Sequence, residues 1–330
     1  MRNFVSNEYI HRHNMNRIKT AINNLLNKTD GAINSRIEEV RYSVDIPETN
    51  AKGYCYCLRI DANGNLRLQD LIEHIDTRIV DYAIPKKEID EAGDDYNRTG
   101  STRKLLELQK KAKNLFTDLK KTGEGGEILL YILIQDILKL PQLISKMSLK
   151  TSGKLHYQGA DGIHFQYNET TKNLELYWAE SKMYKDLNTA IVRCFESIKG
   201  FLLDPQGCTS TQERDIDLIT SNVHQNINNE ELENILLTFF DKDSDLSNNL
   251  VYKGICFIGF DYDKYPTKDD ITKTTDDIKN AILAEYDNWH NTLGEKIKTH
   301  INLDTKEIHI FLMPFPSVEE FREYYLKSLE

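Results

Sequence analysis

The sequence predicts an α/β protein with a mixed central sheet flanked by helices, plus an N-terminal α+β region. Three observations carry this. From residue 124 onward the hydrophobic spacing switches repeatedly between the helical and the strand repeat, the pattern of helices layered on a sheet. Residues 162–182 read as two alternating strands about a short polar turn, which makes an antiparallel pair. Val251–Phe260 is apolar nearly throughout, as expected of a strand covered on both faces.

In chain order, Ile18, Ile22, Leu25 and Leu26 keep helical spacing until Asp30-Gly31 stops them. Residues 37–46 and 53–60 read as strands separated by Pro47 and Gly53. Asn63-Gly64 turns the chain into a helix over about 66–82, built on Leu68, Leu71, Ile72, Ile75 and Ile79, and Pro85 ends it. The polar run EIDEAGDDYNRTG reads as a connection between a region 1–98, to which no chemical role attaches, and a region 99–330. Ser101-Thr102 caps a basic helix to about 119, with Leu105, Leu106, Leu108, Ala112, Leu115 and Phe116 inward. GEILLYILIQDILKL is apolar most of the way round, so a buried helix is expected, ended by Pro141.

The hairpin follows: Ile163, Phe165 and Tyr167 alternate, Asn168–Asn173 turns, and Leu174, Leu176 and Trp178 alternate again. A helix over 186–203 places Ala190, Ile191, Cys194, Phe195, Ile198 and Leu202 inward. Residues 204–250 set ten Asp and Glu against Arg214 and Lys242. They read as an insertion rather than core, with helical pieces at 213–225 and 229–240. Strand Val251–Phe260, a helix over 270–298, a strand Glu307–Met313 stopped by Pro314 and Pro316, and a helix Val318–Leu329 complete the chain.

A net charge of −10 argues against a general nucleic-acid binder. Its distribution qualifies that, because residues 101–154 carry six net positive charges. A basic stripe on an acidic protein is the footprint of a restricted phosphate-binding face, or simply of solvated helix faces. No apolar run is long enough to span a membrane, and the N-terminal stretch lacks the apolar core of a signal peptide. Five cysteines without paired CxxC spacing suggest reduced thiols and a cytoplasmic protein. GEGGE contains no lysine and is not a phosphate-binding P-loop.

The chemistry concentrates in the hairpin. Two strands joined by a short turn bring Asp161 to the level of Glu180, and the strand repeat of two puts Glu180 and Lys182 on one face. Two carboxylates a few ångströms apart repel, and a divalent cation with hard oxygen ligands removes that cost. By itself, Glu180-x-Lys182 is also the pattern of a solvated ion pair, and Asp277-Ile-Lys279 fits it too. Glu127, at the start of a buried helix, either favours the helix dipole or faces the same site.

An early-helix glutamate, a strand aspartate and then E-x-K resemble the PD-(D/E)xK nucleases, with Glu127, Asp161, Glu180 and Lys182 in that order. The usual Pro-Asp is here Ala160-Asp161. GEGGEILLY, GADGIHF and WAESKMY together resemble the HamA family, the nuclease subunit of Hachiman anti-phage defence, over roughly residues 50–320. The resemblance implies a restriction-endonuclease-like core within 99–330, Mg²⁺-dependent DNA cleavage with Mn²⁺ as a substitute, and a HamB-type helicase that restrains the nuclease. It implies a metal held by Asp161, Glu180 and the Ser181 carbonyl, with Lys182 acting on the water and Glu127 as a fourth member. The expected DNA contacts are Lys110, Lys111, Lys113, Lys120 and Lys121, with Lys146, Lys150 and Lys154 as the alternative. A non-catalytic adaptor or DNA-binding subunit stays open from the residues alone.

Overall fold

A computed structural model describes residues 19–27, 31–116, 123–149, 159–203, 210–267 and 272–330. Among these, six strands form one sheet: β1 Ile37–Asp45, β2 Ala51–Leu58, β3 Gly162–Asn168, β4 Asn173–Tyr184, β5 Leu250–Asp261 and β6 Ile308–Phe315. Their spatial order is β1-β2-β6-β5-β4-β3. The pairs at the two ends are antiparallel and the three between them parallel, so the sheet is mixed, as expected. β5 lies inside it with Ile255–Ile258 fully buried, which accounts for its unbroken apolar run. β2 pairs in parallel with β6, Ala51 opposite Ile308. The strands of the N-terminal region therefore extend the sheet that carries the hairpin.

The helices depart from the sequence reading in four places. The helix expected over 66–82 is two, α1 Leu68–Thr77 and α2 Ile79–Ala83, and at the break Arg78 Nε lies 2.9 Å from Asp81. The run read as a polar connection is instead the body of α3, Lys86–Thr99. Ion pairs one turn apart, Lys86–Asp90 and Arg98–Asp95, support it. Ala92 packs inward, and only Gly100 takes the left-handed conformation that ends the helix. In α4, Arg103–Asn114, Leu105 and Leu106 face solvent rather than the core, 38% and 61% exposed. α5, Glu124–Leu133, runs into one π turn, Ile134–Leu138, and left-handed Lys139 ends it two residues before Pro141.

α6 Leu187–Leu202 follows the hairpin, its first turn capped by the Asp186 side chain. Residues 211–240 form α7 Thr211–Asn222 and α8 Glu230–Phe240. These are not a solvated excursion. Ile216, Ile219, Val223, Ile227, Leu232, Leu236 and Phe239 are buried in the same core as the sheet, and the acidic residues of α7 and α8 are half-buried or exposed, except for fully buried Asp215. α9 Thr275–Lys298 opens on a capping box of Thr274 and Asp277, and α10 Val318–Ser328 closes the chain. β6 continues through Pro314 rather than stopping there. Pairing with β2 ends at Leu312, so the proline has a ladder neighbour on one side only.

The segment before β3 lines its outer edge. Leu143 N–H donates to Ile163 O at 2.8 Å, Phe165 N–H to Pro141 O at 3.3 Å, and His164 Nδ1 lies 3.0 Å from Leu140 O. His164 is 1% exposed, and burial pulls its pKa down to about 4. The unfolded chain then binds a proton that the folded chain refuses, so stability present above pH 6.5 is lost as pH falls toward 4. Unfolding free energy is expected to drop by about 1–2 kcal/mol between pH 7 and pH 5, a change that His164→Gln diminishes. Denaturant melts of both proteins at the two pH values measure it, and an equal drop in both would exclude His164 as the cause.

Candidate active site

The hairpin register sets the site. Gly162 pairs with Ala179 and Ile163 with Trp178, so the next position outward sets Asp161 against Glu180. Asp161 N–H donates to Ala179 O at 2.9 Å. The Asp161 carboxylate in turn accepts the Ser181 backbone N–H at 2.8 Å, which ties it to β4. Lys182 Nζ sits 2.8 Å from Glu180 Oε2, on the same face as the strand repeat requires. That face is covered by α6. Trp178 stacks on Phe201 at 5.2 Å between ring centroids, and a Cβ on Gly254 of β5 would come within 3.0 Å of Leu202.

Glu180 is nearly sealed, its side chain 4% exposed. Burial raises its pKa to about 8, and the neighbouring Asp161 charge adds to this while Lys182 and Lys146 oppose it. Burial works against the Lys182 ammonium, yet the Asp161 and Glu180 carboxylates beside it raise its pKa above the usual lysine value. Lys182 is thus held as a cation. The result is a buried Glu180 carboxyl whose ionisation beside half-buried Asp161 is unfavourable until positive charge arrives, with one fixed cation beside it.

Glu127 reaches the site from the other side of β4. α5 packs on the face opposite Glu180, so closely that a Cβ on Gly126 would fall 2.7 Å from Ser181 Oγ and 2.8 Å from Met183 Sδ. Only glycine fits there, which gives the GEGGE run a packing reason. From this position Glu127 accepts a hydrogen bond from the Tyr82 hydroxyl at 3.0 Å, and the same hydroxyl lies 3.2 Å from Asp161 O. Tyr82 is fully enclosed, and burial followed by the Glu127 and Asp161 charges pushes its pKa far up. It therefore stays a hydroxyl donor joining Glu127 to the Asp161 backbone. Sequence reasoning misses it, because Tyr82 falls in the region to which no chemistry attached. Glu124, 3% exposed, lies one turn before Glu127.

Two further residues come from unexpected places. Lys146, counted with the alternative DNA contacts, is 9% exposed at its side chain and pairs with fully buried Asp215 of α7 at 2.8 Å. Burial lowers its pKa, while Asp215 and then Asp161 and Glu180 favour its charge. It is engaged within the fold, on Asp215 and the Ala160 carbonyl. Among the helix lysines, Lys110 and Lys111 are both exposed, Lys111 in a surface pair with Glu88, whereas Lys113 is half-buried and pairs with Asp76. Lys120, Lys121, Lys150 and Lys154 lie outside the described residues.

The donor set suits a hard divalent cation, since Asp161 and Glu180 supply carboxylate oxygens that a 2+ charge would relieve of their mutual repulsion. Among the described residues, no group of three or more His, Cys, Asp or Glu side chains is arranged to hold a metal ion. A cation here would rest on those two carboxylates and backbone oxygen. No helix among the described residues is long and apolar enough to cross a membrane.

No curated protein matches the chain. A family model does, that of HamA, across residues 31–329. The match takes in Tyr82, α5, the whole hairpin and the Asp215 helix, and the chain belongs to the HamA family of Hachiman defence-system proteins.

Proposed function

We propose that the protein is a metal-dependent DNA nuclease, the effector of a bacterial anti-phage defence system, working with and restrained by a helicase partner. The observation that carries this reading is the juxtaposition of Asp161 and Glu180 on paired strands with the Lys182 ammonium 2.8 Å from Glu180. Asp161, Glu180 and the Ser181 carbonyl would hold Mg²⁺ or Mn²⁺. Bound there, the ion supplies Lewis-acid polarisation of a phosphoryl oxygen and a water of lowered pKa. Lys182, kept charged, offsets negative charge growing on the phosphate rather than acting as a base. Glu127 and Tyr82 hold the Asp161 backbone. The helicase partner and the restraint rest on family membership.

The DNA surface is read from charge. Lys110 is exposed and makes no ion pair among the described residues, while Lys111, also exposed, pairs with Glu88 and half-buried Lys113 with Asp76. Removing one phosphate-neutralising lysine reduces the slope of log affinity against log salt by about one. Lys110→Ala is expected to flatten that slope by such an amount without altering sequence preference, measured by fluorescence anisotropy over a salt series. An unchanged slope would place the DNA elsewhere.

Digestion of plasmid DNA by the purified protein with Mg²⁺, with Mn²⁺ and with chelator, wild type beside Lys182→Ala, tests the proposal directly. Binding without cleavage under every metal condition, in the presence of the helicase as well, would favour a non-catalytic DNA-binding subunit.

A further inference from the structure

Asp161 has its backbone held on both sides. Its own N–H goes to Ala179 O and its own C=O to the Tyr82 hydroxyl. The residue before it is held by a charge pair. Ala160 N–H donates to Asp215 Oδ2 at 3.1 Å, and Lys146 Nζ donates to Ala160 O at 2.8 Å and to Asp215 Oδ2 at 2.8 Å. Lysine and aspartate thus close a ring around Ala160, each taking one of its backbone polar groups.

Two features separate this from an ordinary buried ion pair. Asp215 Oδ1 is buried with no hydrogen-bond partner among the described residues, an arrangement poor for stability and therefore in need of another reason. Position 160 must also carry an N–H for Asp215 to accept, which alanine supplies and a proline would not. The alanine keeps the donor that the clamp uses.

We propose that Lys146 and Asp215 are positioning residues for Asp161: together they fix the Ala160 backbone, and α7 is thereby part of the active site's assembly. The inference rests on the nuclease reading for its kinetic consequence only. A carboxylate displaced by about 1 Å costs on the order of 100-fold in rate without a change in substrate affinity.

The test is the double variant Lys146→Met/Asp215→Leu. It removes both charges together, so no orphaned ion destabilises the fold, and apolar replacement of a buried pair is commonly tolerated. If the pair positions Asp161, the double variant melts cooperatively, lowered by what the unpaired Ala160 N–H and C=O cost, and loses about 100-fold in kcat with DNA affinity unchanged. In the metal-free protein without DNA, the amide hydrogen of Asp161, whose acceptor Ala179 O the variant leaves in place, exchanges at least about tenfold faster. If the pair is only structural, the double variant keeps wild-type exchange and wild-type cleavage, and the proposal is overturned. Should wild type prove inactive under all conditions, exchange decides alone. Faster exchange then sustains the clamp while the nuclease reading falls, and unchanged exchange removes the clamp.

Discussion

Lys182→Ala is expected to leave a folded, DNA-binding protein whose Mg²⁺-dependent cleavage is at least about 10³-fold below wild type, since one fixed charge removed from a developing oxyanion already costs about 10²–10³-fold. Lys182 also counters the Asp161 and Glu180 charges, so its loss weakens the acidic pair as well. Glu180→Gln is expected to lose cleavage equally, with an opposite effect on stability. The Glu180 carboxyl has its folded pKa raised from 4.5 to about 8, first by burial and then by Asp161. A raised acid favours folding below its unfolded pKa and forfeits that as pH climbs through the folded value. At pH 8 the neutral amide should therefore stabilise the metal-free protein by about 1–2 kcal/mol, less than the full linkage because the charge-assisted bond to Lys182 is lost. A more stable but inactive protein is the signature of a residue kept for function. Full activity in Lys182→Ala would rule out its assignment, and a Glu180→Gln protein less stable than wild type would show the pair to be structural.

Replacing residues 206–248 by a short Gly/Ser linker is expected to unfold the protein. Acidic and set between two core elements, the segment invites such removal. Its inner face is another matter. Seven apolar side chains from Ile216 to Phe239 lie in the common core, each worth about 1.5–3 kcal/mol of burial. Part of that is offset by the ordering entropy the segment no longer loses. The Lys146 charge is not offset, because without Asp215 it stays buried with its main counter-ion gone, on the order of 3–5 kcal/mol from a total stability of about 5–15. The linker variant should be insoluble or melt at least about 10 °C lower in circular dichroism. A cooperative melt at the wild-type temperature would contradict this. Charge on the segment is removed without touching the core by Glu230→Gln and Glu231→Gln, which lie on its exposed face.

Local pattern determines a good deal by itself. The mixed α/β class, the hairpin at 162–184, the central β5 and the helices after it follow from short-range hydrophobic spacing, and spacing is what those elements are made of. Glu180 and Lys182 are legible as a pair because a strand repeats every two residues. Asp161 is legible opposite Glu180 because a short turn fixes the register. The GEGGE run is visible as a break, though its reason, the approach of Gly126 to Ser181 and Met183, is not. The acidic helix α3 passes for a connection because charge and one glycine resemble a loop when the ion pairs that support a helix are left out.

Only the tertiary structure decided what surrounds Asp161. Tyr82, Lys146 and Asp215 stand 79, 15 and 54 positions from it along the chain, and none belongs to a motif. Nothing in the local sequence distinguishes a lysine that will be buried on a peptide carbonyl from one that will face water. That choice is made when α2, the segment before β3 and α7 close on the hairpin's end, where burial turns ordinary charges into obligatory partners.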